Sequence, residues 1–295
     1  TGACGLIGRE LCQQLLDCGY SNITAVDSNW KYPGHKIQGV KFIKSSTIDY
    51  IQSAVNTYDT IYHLSAINGT KYFYSIPNEL IENNVVTDIA LFKWAKTNPL
   101  TKVVYASSSE IVADSPNVPT GEEVDVSIKN IHNPRWSYRL GKMLSENYLV
   151  NSDLNYVIVR FFNTYSEHTA GGHIVRDLTD KIKNKNFEVH SPNETRSFCY
   201  VSDAVSAVIK LSQTANRDIV NVGSDEEIKI IDAANILAEA QGYHTVKWKV
   251  LDNFEGSTSR RKPNLEKLRS YIPNYDPEKF QTTISRIKKY LTNAK

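Results

Sequence analysis

Thr1-Gly2-Ala3-Cys4-Gly5-Leu6-Ile7-Gly8 opens the chain, and three glycines at this spacing before an apolar helix decide the fold. The first glycine permits a sharp turn, the second a close backbone approach to a pyrophosphate, and the third close packing of helix on sheet. A helix over residues 7–16, apolar at Ile7, Leu11, Leu15 and Leu16, would then offer its free N–H groups and dipole to phosphate. The run Ile23-Thr24-Ala25-Val26 ends in Asp27. At that distance a carboxylate binds a ribose 2′-hydroxyl and repels a 2′-phosphate, which predicts NAD rather than NADP. Such a fold needs a buried strand directly before the turn. The expectation is therefore that a short N-terminal segment, including the first strand, precedes Thr1.

Working outward, apolar runs at 23–26, 40–43, 60–64, 102–106, 156–160 and 219–222 read as strands. They alternate with helical patterns at 49–56, 78–97, 138–151, 173–183, 202–214, 230–241 and 281–291. This predicts an α/β fold, a Rossmann-type doubly wound parallel sheet covered by helices on both faces. Beyond Phe162 strands become sparser and loops longer. Residues 1–162 are expected to form the NAD-binding domain, to which strand 219–222 returns, and residues 163–295 a smaller, mainly substrate-binding region. Ligands in such sheets sit at the carboxyl ends of the strands. Ser65, Ser107, Ser108, Ser109, Asn163 and Gly223 each follow a strand.

Charge excludes some functions. The chain has 34 basic and 32 acidic residues, a net of +2, so nothing points to nucleic acid or a membrane surface. No apolar window is long enough to span a bilayer. The cysteines Cys4, Cys12, Cys18 and Cys199 form no CxxC pair and read as reduced residues of a cytoplasmic protein. The histidines show no metal-ligand spacing; His168 and His173 fall in a Thr/Gly-rich segment read as a solvated loop. No metal is predicted.

The chemistry lies further on. Tyr138 and Lys142 are four residues apart, hence on one helix face. An ammonium near a phenol favours phenolate and draws its pKa from about 10 towards neutrality. Such a group can take a proton from a substrate hydroxyl while hydride leaves the same carbon. Ser107-Ser108-Ser109 can supply a hydroxyl to the same oxygen.

Further motifs follow in order: His63-Leu64-Ser65-Ala66, Asn84-Val85, Ala106-Ser107-Ser108-Ser109-Glu110, and Pro134-Arg135-Trp136-Ser137-Tyr138 through Lys142 and Glu146. After these come Arg160-Phe161-Phe162-Asn163-Thr164-Tyr165, Arg196-Ser197-Phe198-Cys199-Tyr200-Val201-Ser202-Asp203, Asn221-Val222-Gly223 and Arg261-Lys262-Pro263-Asn264. With these motifs the chain resembles, over nearly its whole length, the extended short-chain dehydrogenase/reductases. The likeness is to their NAD-dependent nucleotide-sugar epimerase, dehydratase and decarboxylase family. The resemblance implies a catalytic Ser108, Tyr138 and Lys142, with Glu110 in a reaction-specific position. It implies NAD held by Gly2, Gly5, Gly8, Asp27, Ser65, Tyr138 and Lys142. A nucleotide-diphosphate sugar would be held by Ser108, Ser109, Asn163, Arg196 and Arg261, the arginines on its diphosphate. Asn84 reads equally well as a helix residue or a site residue. Relatives dimerise through the two helices that would be 78–97 and 138–151 here, so a homodimer is expected. Leu91, Phe92, Leu144 and Leu149 could serve that contact or the sheet.

In the family, oxidation at C4 is followed by epimerisation, 4,6-dehydration or decarboxylation. Dehydratases carry an Asp-Glu pair where this chain has Ser109-Glu110, so the acid for the leaving hydroxyl is missing. Ser108-Ser109-Glu110 with Arg261 fits the decarboxylases. A 4-epimerase demands least beyond the triad and is placed first, with decarboxylase close behind. Relatives that have become non-catalytic NAD-binding proteins commonly lose the Tyr or Lys retained here.

Overall fold

A computed structural model describes residues 1–29, 37–55, 57–128, 130–169, 171–252 and 257–293. The glycine turn leads into α1 (Leu6–Asp17), which buries Gly8, Leu11, Cys12 and Leu15, a stripe at helical spacing. Strands β1 (Ile23–Asp27) and β2 (Val40–Lys44) pair in parallel. Next come α2 (Thr47–Ser53), β3 (Thr60–His63), α3 (Thr70–Ser75), α4 (Pro77–Ala95), β4 (Lys102–Ser108), α5 (Trp136–Val150) and β5 (Asn155–Phe161). The chain continues through β6 (Thr164–Tyr165), α6 (Ile174–Lys183), β7 (Glu188–His190), β8 (Thr195–Arg196), β9 (Cys199–Tyr200), α7 (Val201–Thr214) and β10 (Asp218–Val222). It ends with β11 (Ile228–Lys229), α8 (Ile230–Ala240), β12 (Lys249–Leu251), β13 (Arg260–Arg261), α9 (Glu266–Tyr271) and α10 (Phe280–Asn293).

The central sheet runs β10-β5-β4-β3, all parallel. Its alternation shows why helices cover both faces. Val103, Tyr105, Tyr156 and Ile158 pack with Leu91 and Phe92 of α4 and Leu149 of α5. Their neighbours Val104, Val157 and Val159 pack with Ala204, Val208 and Leu211 of α7 and Leu268 of α9. A strand buried on both sides must be apolar throughout, as Val157, Ile158 and Val159 are. Residues 1–3 lie between the carboxyl ends of β1 and β3. The Thr1 nitrogen donates to Tyr62 O at 2.9 Å, and Ala3 N–H to Val26 O at 3.3 Å. A third core joins α6, α8 and α10 to Leu11 and Leu15 of α1, so the carboxyl-terminal segments rest on the glycine-turn helix.

The doubly wound parallel architecture agrees with the sequence reading; the smaller elements do not. Helix α3, helix α9 and the short strands β6–β9 and β11–β13 were not expected. Two-residue strands carry no periodicity, and their partners lie far away in sequence. Helix α2 starts at Thr47 rather than residue 49 because the Ser46 hydroxyl caps it, accepting from Asp49 N–H at 3.0 Å. Its expected end, Asn56, lies outside the described residues. Among the described residues no helix is long and apolar enough to cross a membrane. Leu91, Phe92 and Leu149 are core residues of the protomer, whereas Leu144 stands exposed on α5. Cys4, Cys12 and Cys199 are buried free thiols, and Cys18 is exposed.

Candidate active site

A cleft of about 750 Å³ opens at the carboxyl ends of the strands. The glycine turn, the end of β4, the face of α5, and Asn163, Arg196 and Arg261 all line it. Three glycine contacts explain the turn. Gly2 has φ 69°, a left-handed conformation, and a Cβ there would lie 2.6 Å from Ser65 N. A Cβ on Gly8 would lie 2.2 Å from Gly2 O, while one on Gly5 would sit 3.2 Å from the same oxygen. The third glycine therefore presses on the turn itself rather than on the sheet. Helix α1 carries no acidic residue in its first turn, leaving its positive end free for phosphate.

Asp27 and Ser65 lie beside this turn but outside the cleft lining. Asp27 accepts from Cys4 N–H and Asn29 N–H, each at 2.8 Å. The Ser65 hydroxyl pairs with Thr47 Oγ1 at 3.0 Å. Asn84 is structural: its amide bonds both the N–H and the carbonyl of Ile67, fixing the loop after β3. His168 is exposed and His173 half-buried, and both line the cleft.

Helix α5 carries a buried polar face, including Tyr138, Lys142, Ser145 and Glu146, against the end of β4. The Tyr138 ring stacks on Phe73 of α3, centroids 5.0 Å apart and planes 15° apart. Ser108, at the end of β4, lies beside the phenol and favours its ionised form. The lysine does not draw the phenol towards neutrality as the four-residue spacing predicts. Burial pushes the Tyr138 phenol well above its ordinary value, and the neighbouring Ser108 offsets only part of this. The Lys142 ammonium donates to Tyr105 Oη at 3.0 Å and Ala106 O at 2.9 Å, and lies 4.0 Å from Asp88. Helical spacing put Tyr138 and Lys142 on one face, but it did not reveal which partners would claim the ammonium.

Glu110 is the second centre. Burial alone would raise its carboxyl, but the Arg261 and Arg135 guanidinium groups more than reverse this and hold it at about 2. Arg261 donates to Glu110 Oε1 at 2.8 Å and Arg135 to the same oxygen at 3.1 Å. Arg261 pairs with Arg196 in the register of β13 on β8, so both guanidinium groups reach one wall. Burial, then the charge of Arg261, lowers Arg196 to about 10. It is held by Glu194 Oε2 at 2.9 Å and by the carbonyls of Thr195 and Thr258 at 2.8 Å. Asn163 adopts a left-handed φ of 36°, and its amide donates to Ser197 O at 3.1 Å. Arg135 was not singled out from the sequence as a site residue. Its position three before Tyr138, one helical turn away, was the available signal.

The depressed carboxyl has a stability consequence. Glu110 goes from 4.5 in the unfolded chain to about 2 when folded, so its contribution is complete above pH 4.5 and is lost as pH falls through about 2. Urea unfolding between pH 7 and 2 should show this loss. Glu110→Gln should be less stable at pH 7, by about 3 kcal/mol, because two buried guanidinium groups lose their counter-ion. It should also lose less on acidification. An unchanged acid slope would remove Glu110 from this role.

A doubly wound parallel sheet, a glycine turn opening a helix, and a Ser–Tyr–Lys site at the strand ends define a dinucleotide-dependent enzyme class. The chain belongs to the NAD dependent epimerase/dehydratase family, whose sequence profile matches residues 1–223. Among its relatives, UDP-N-acetyl-alpha-D-glucosaminuronate decarboxylase of Bacillus cytotoxicus is 29% identical over 289 residues, covering 91% of this chain and 89% of that protein. UDP-glucuronic acid decarboxylase 3 of Arabidopsis thaliana is 25% identical over 285 residues, covering 92% of this chain and 82% of that one. The structure of UDP-glucose 4-epimerase from Thermotoga maritima superposes with a TM-score of 0.85 at 17% identity, covering 99% and 97% of the two chains. At that identity the superposition speaks to the fold. The family's cofactor is NAD, and the left-handed Gly2, the small residues facing the cleft and the free helix end fit it.

Proposed function

We propose that this protein is an NAD-dependent decarboxylase of a nucleotide-linked hexuronate. The observation that carries the reading is Glu110, ionised between Arg135 and Arg261 beside the Ser108–Tyr138 pair. The acid that protonates the leaving hydroxyl in 4,6-dehydration is already missing at Ser109, and Glu110, a carboxyl held at about 2, has no proton to give in its place at neutral pH. The same arrangement places two guanidinium groups on the cleft wall, suited to an anionic sugar. Full-length similarity to two decarboxylases of UDP-linked uronates supports it further.

In this reading Gly2, Gly5 and Gly8 hold the dinucleotide phosphates, Asp27 and Ser65 support the adenosine side, and Lys142 serves the nicotinamide ribose. NAD held there would supply the acceptor, and later the donor, of the hydride at C4 of the sugar. Tyr138, aided by Ser108, takes the C4 hydroxyl proton. The product is a β-keto acid: the bond between C5 and its carboxyl carbon breaks, carbon dioxide leaves, and the electron pair enters the C4 carbonyl. Tyr138 and Ser108 hydrogen-bond that oxygen as charge develops. C5 then gains a proton and C4 is reduced. Asn163, Arg196 and Arg261 hold the nucleotide-sugar, with Ser109 beside the sugar. Residues 163–295 supply most of this half of the site. The protein acts as a homodimer through the outer faces of α4 and α5, where Val86 and Leu144 are exposed.

Epimerisation, placed first on the sequence alone, keeps one supporting observation, a Ser108–Tyr138–Lys142 set that is complete without Glu110. Incubation with UDP-glucuronate, UDP-N-acetylglucosaminuronate and neutral UDP-, GDP-, CDP- and dTDP-sugars separates the two. Carbon dioxide release with a pentose product is expected. A product of unchanged mass and inverted C4 would make the enzyme an epimerase.

A further inference from the structure

Lys142 terminates a buried polar chain assembled from four elements. Tyr105 of β4 accepts from its ammonium and donates in turn to Asp88 Oδ2 of α4 at 2.5 Å. The other Asp88 oxygen pairs with His63 Nε2 of β3 at 2.8 Å. An ionised carboxylate only accepts, so His63 carries its proton on Nε2, and its Nδ1 accepts from the Thr1 hydroxyl at 2.6 Å. Strand register makes the arrangement possible, because His63 and Tyr105 are cross-strand neighbours in β3 and β4. Asp88 and Tyr105 are fully buried, and Lys142 is 2% exposed.

An isolated ammonium in such surroundings would shed its proton. The groups facing it are Tyr105 from β4, Asp88 from α4, His63 from β3, and Tyr138 and Glu146 from its own helix. Burial keeps His63 neutral, and burial with the nearby Asp88 keeps Tyr105 neutral. Glu146 is committed elsewhere, bonded by Arg160 at 3.0 and 2.7 Å. Asp88, 4.0 Å away, is the one anion of this set that no other cation neutralises. Burial lowers Lys142, and Asp88 leads the groups opposing that shift.

We propose that Asp88 and Tyr105 are positioning residues of the active site, Asp88 as the dedicated counter-ion that keeps Lys142 an ammonium and Tyr105 as the bridge that fixes where that ammonium sits. The inference rests on the reading above only in that Lys142, as an ammonium, serves the nicotinamide ribose. It does not depend on which sugar is turned over.

The test is a titration of the full-length protein carrying [13Cε]lysine, with the Lys142 signal assigned by Lys142→Arg. In Asp88→Asn and in Tyr105→Phe the Lys142 midpoint should move to lower pH than in the parent. Turnover should fall at least tenfold in kcat with KM within twofold, and the pH at which kcat/KM stops rising should move down with the midpoint. If Asp88→Asn does not fold, Tyr105→Phe carries the test, since it removes one hydroxyl and keeps the ring. An unchanged Lys142 midpoint in a folded variant would overturn the proposal even if activity fell. If the uronates are not substrates, the function reading fails while the Lys142 midpoint still decides this one.

Discussion

Tyr138→Phe should lower kcat roughly a thousandfold, within the usual range for loss of a positioned proton acceptor, with NAD binding and thermal stability nearly unchanged. The expectation follows from what the substitution keeps. The ring stacks on Phe73 at 5.0 Å and loses only its hydroxyl, so the packing between α3 and α5 survives. What disappears is the oxygen that lies beside Ser108 and that, in the proposed reaction, takes the substrate proton. The pH profile gives a second reading of the same group. Because burial holds the phenol above its ordinary value, kcat/KM of the parent should rise with pH through the neutral range. Burial lowers Lys142, so the rise should level off as that ammonium is lost and turn into a fall only above the phenol's own value. The two apparent values belong to the coupled pair rather than to either residue. Ser108→Ala removes the side chain that lowers the phenol, so tyrosinate becomes scarcer and kcat/KM should drop throughout the neutral range. A Tyr138→Phe protein retaining a tenth of the parent rate would take Tyr138 out of the chemistry.

How much of the fold was legible depended on how local its cause was. Strands β4 and β5 were visible because burial on both faces demands apolar runs such as Val157-Ile158-Val159. Helices α4, α5 and α7 were visible because each buries a long stripe. Strands β8 and β13 were invisible because two residues make no pattern. They exist because Thr195 and Arg196 meet Arg260 and Arg261 across 65 residues of chain. Their consequence is large, since that register places Arg196 beside Arg261 on the cleft wall.

The site divides in the same way. Tyr138 and Lys142 lie on one helix, and Ser108 ends strand β4, so spacing and order brought them out. The partners of Lys142 could not be found so. Asp88, Tyr105 and His63 come from three elements and meet only because β3 and β4 adopt one register with α4 packed over them. The pKa of Tyr138 was misread for the same reason, because spacing reports proximity and says nothing of burial or competing hydrogen bonds. Glu110 was legible as a residue type, but its ionisation was not, since it depends on Arg261, 151 residues away in sequence.

Gly8→Ala should be the most damaging single-methyl change in the cofactor half, and the geometry ranks it against its neighbours. The new Cβ would lie 2.2 Å from Gly2 O and 2.7 Å from Ala3 Cα, both backbone atoms that no rotamer change can move aside. Relief requires α1 to lift from the turn. That would disturb Leu11 and Leu15, which anchor α1 in the carboxyl-terminal core. Overpacking of this kind costs about 3 kcal/mol or more, and the phosphate cradle opens as the helix moves. Gly5→Ala is the milder control within the same motif, because its Cβ meets Gly2 O at 3.2 Å, a contact that a shift of a few tenths of an ångström relieves. It should fold almost normally and bind NAD more weakly, since the methyl enters the cleft lining. Gly19→Ala is the control outside the motif. Its φ of 88° strains any side chain, yet nothing lies within 4 Å, so it should cost about 1 kcal/mol and leave NAD affinity unchanged. Calorimetry for Tm and fluorescence titration for NAD therefore separate backbone strain, steric displacement and loss of the phosphate site. A Gly8→Ala protein with parental Tm and parental NAD affinity would mean that the turn and α1 are not locked together by this contact, and the cofactor assignment would lose its mechanical basis.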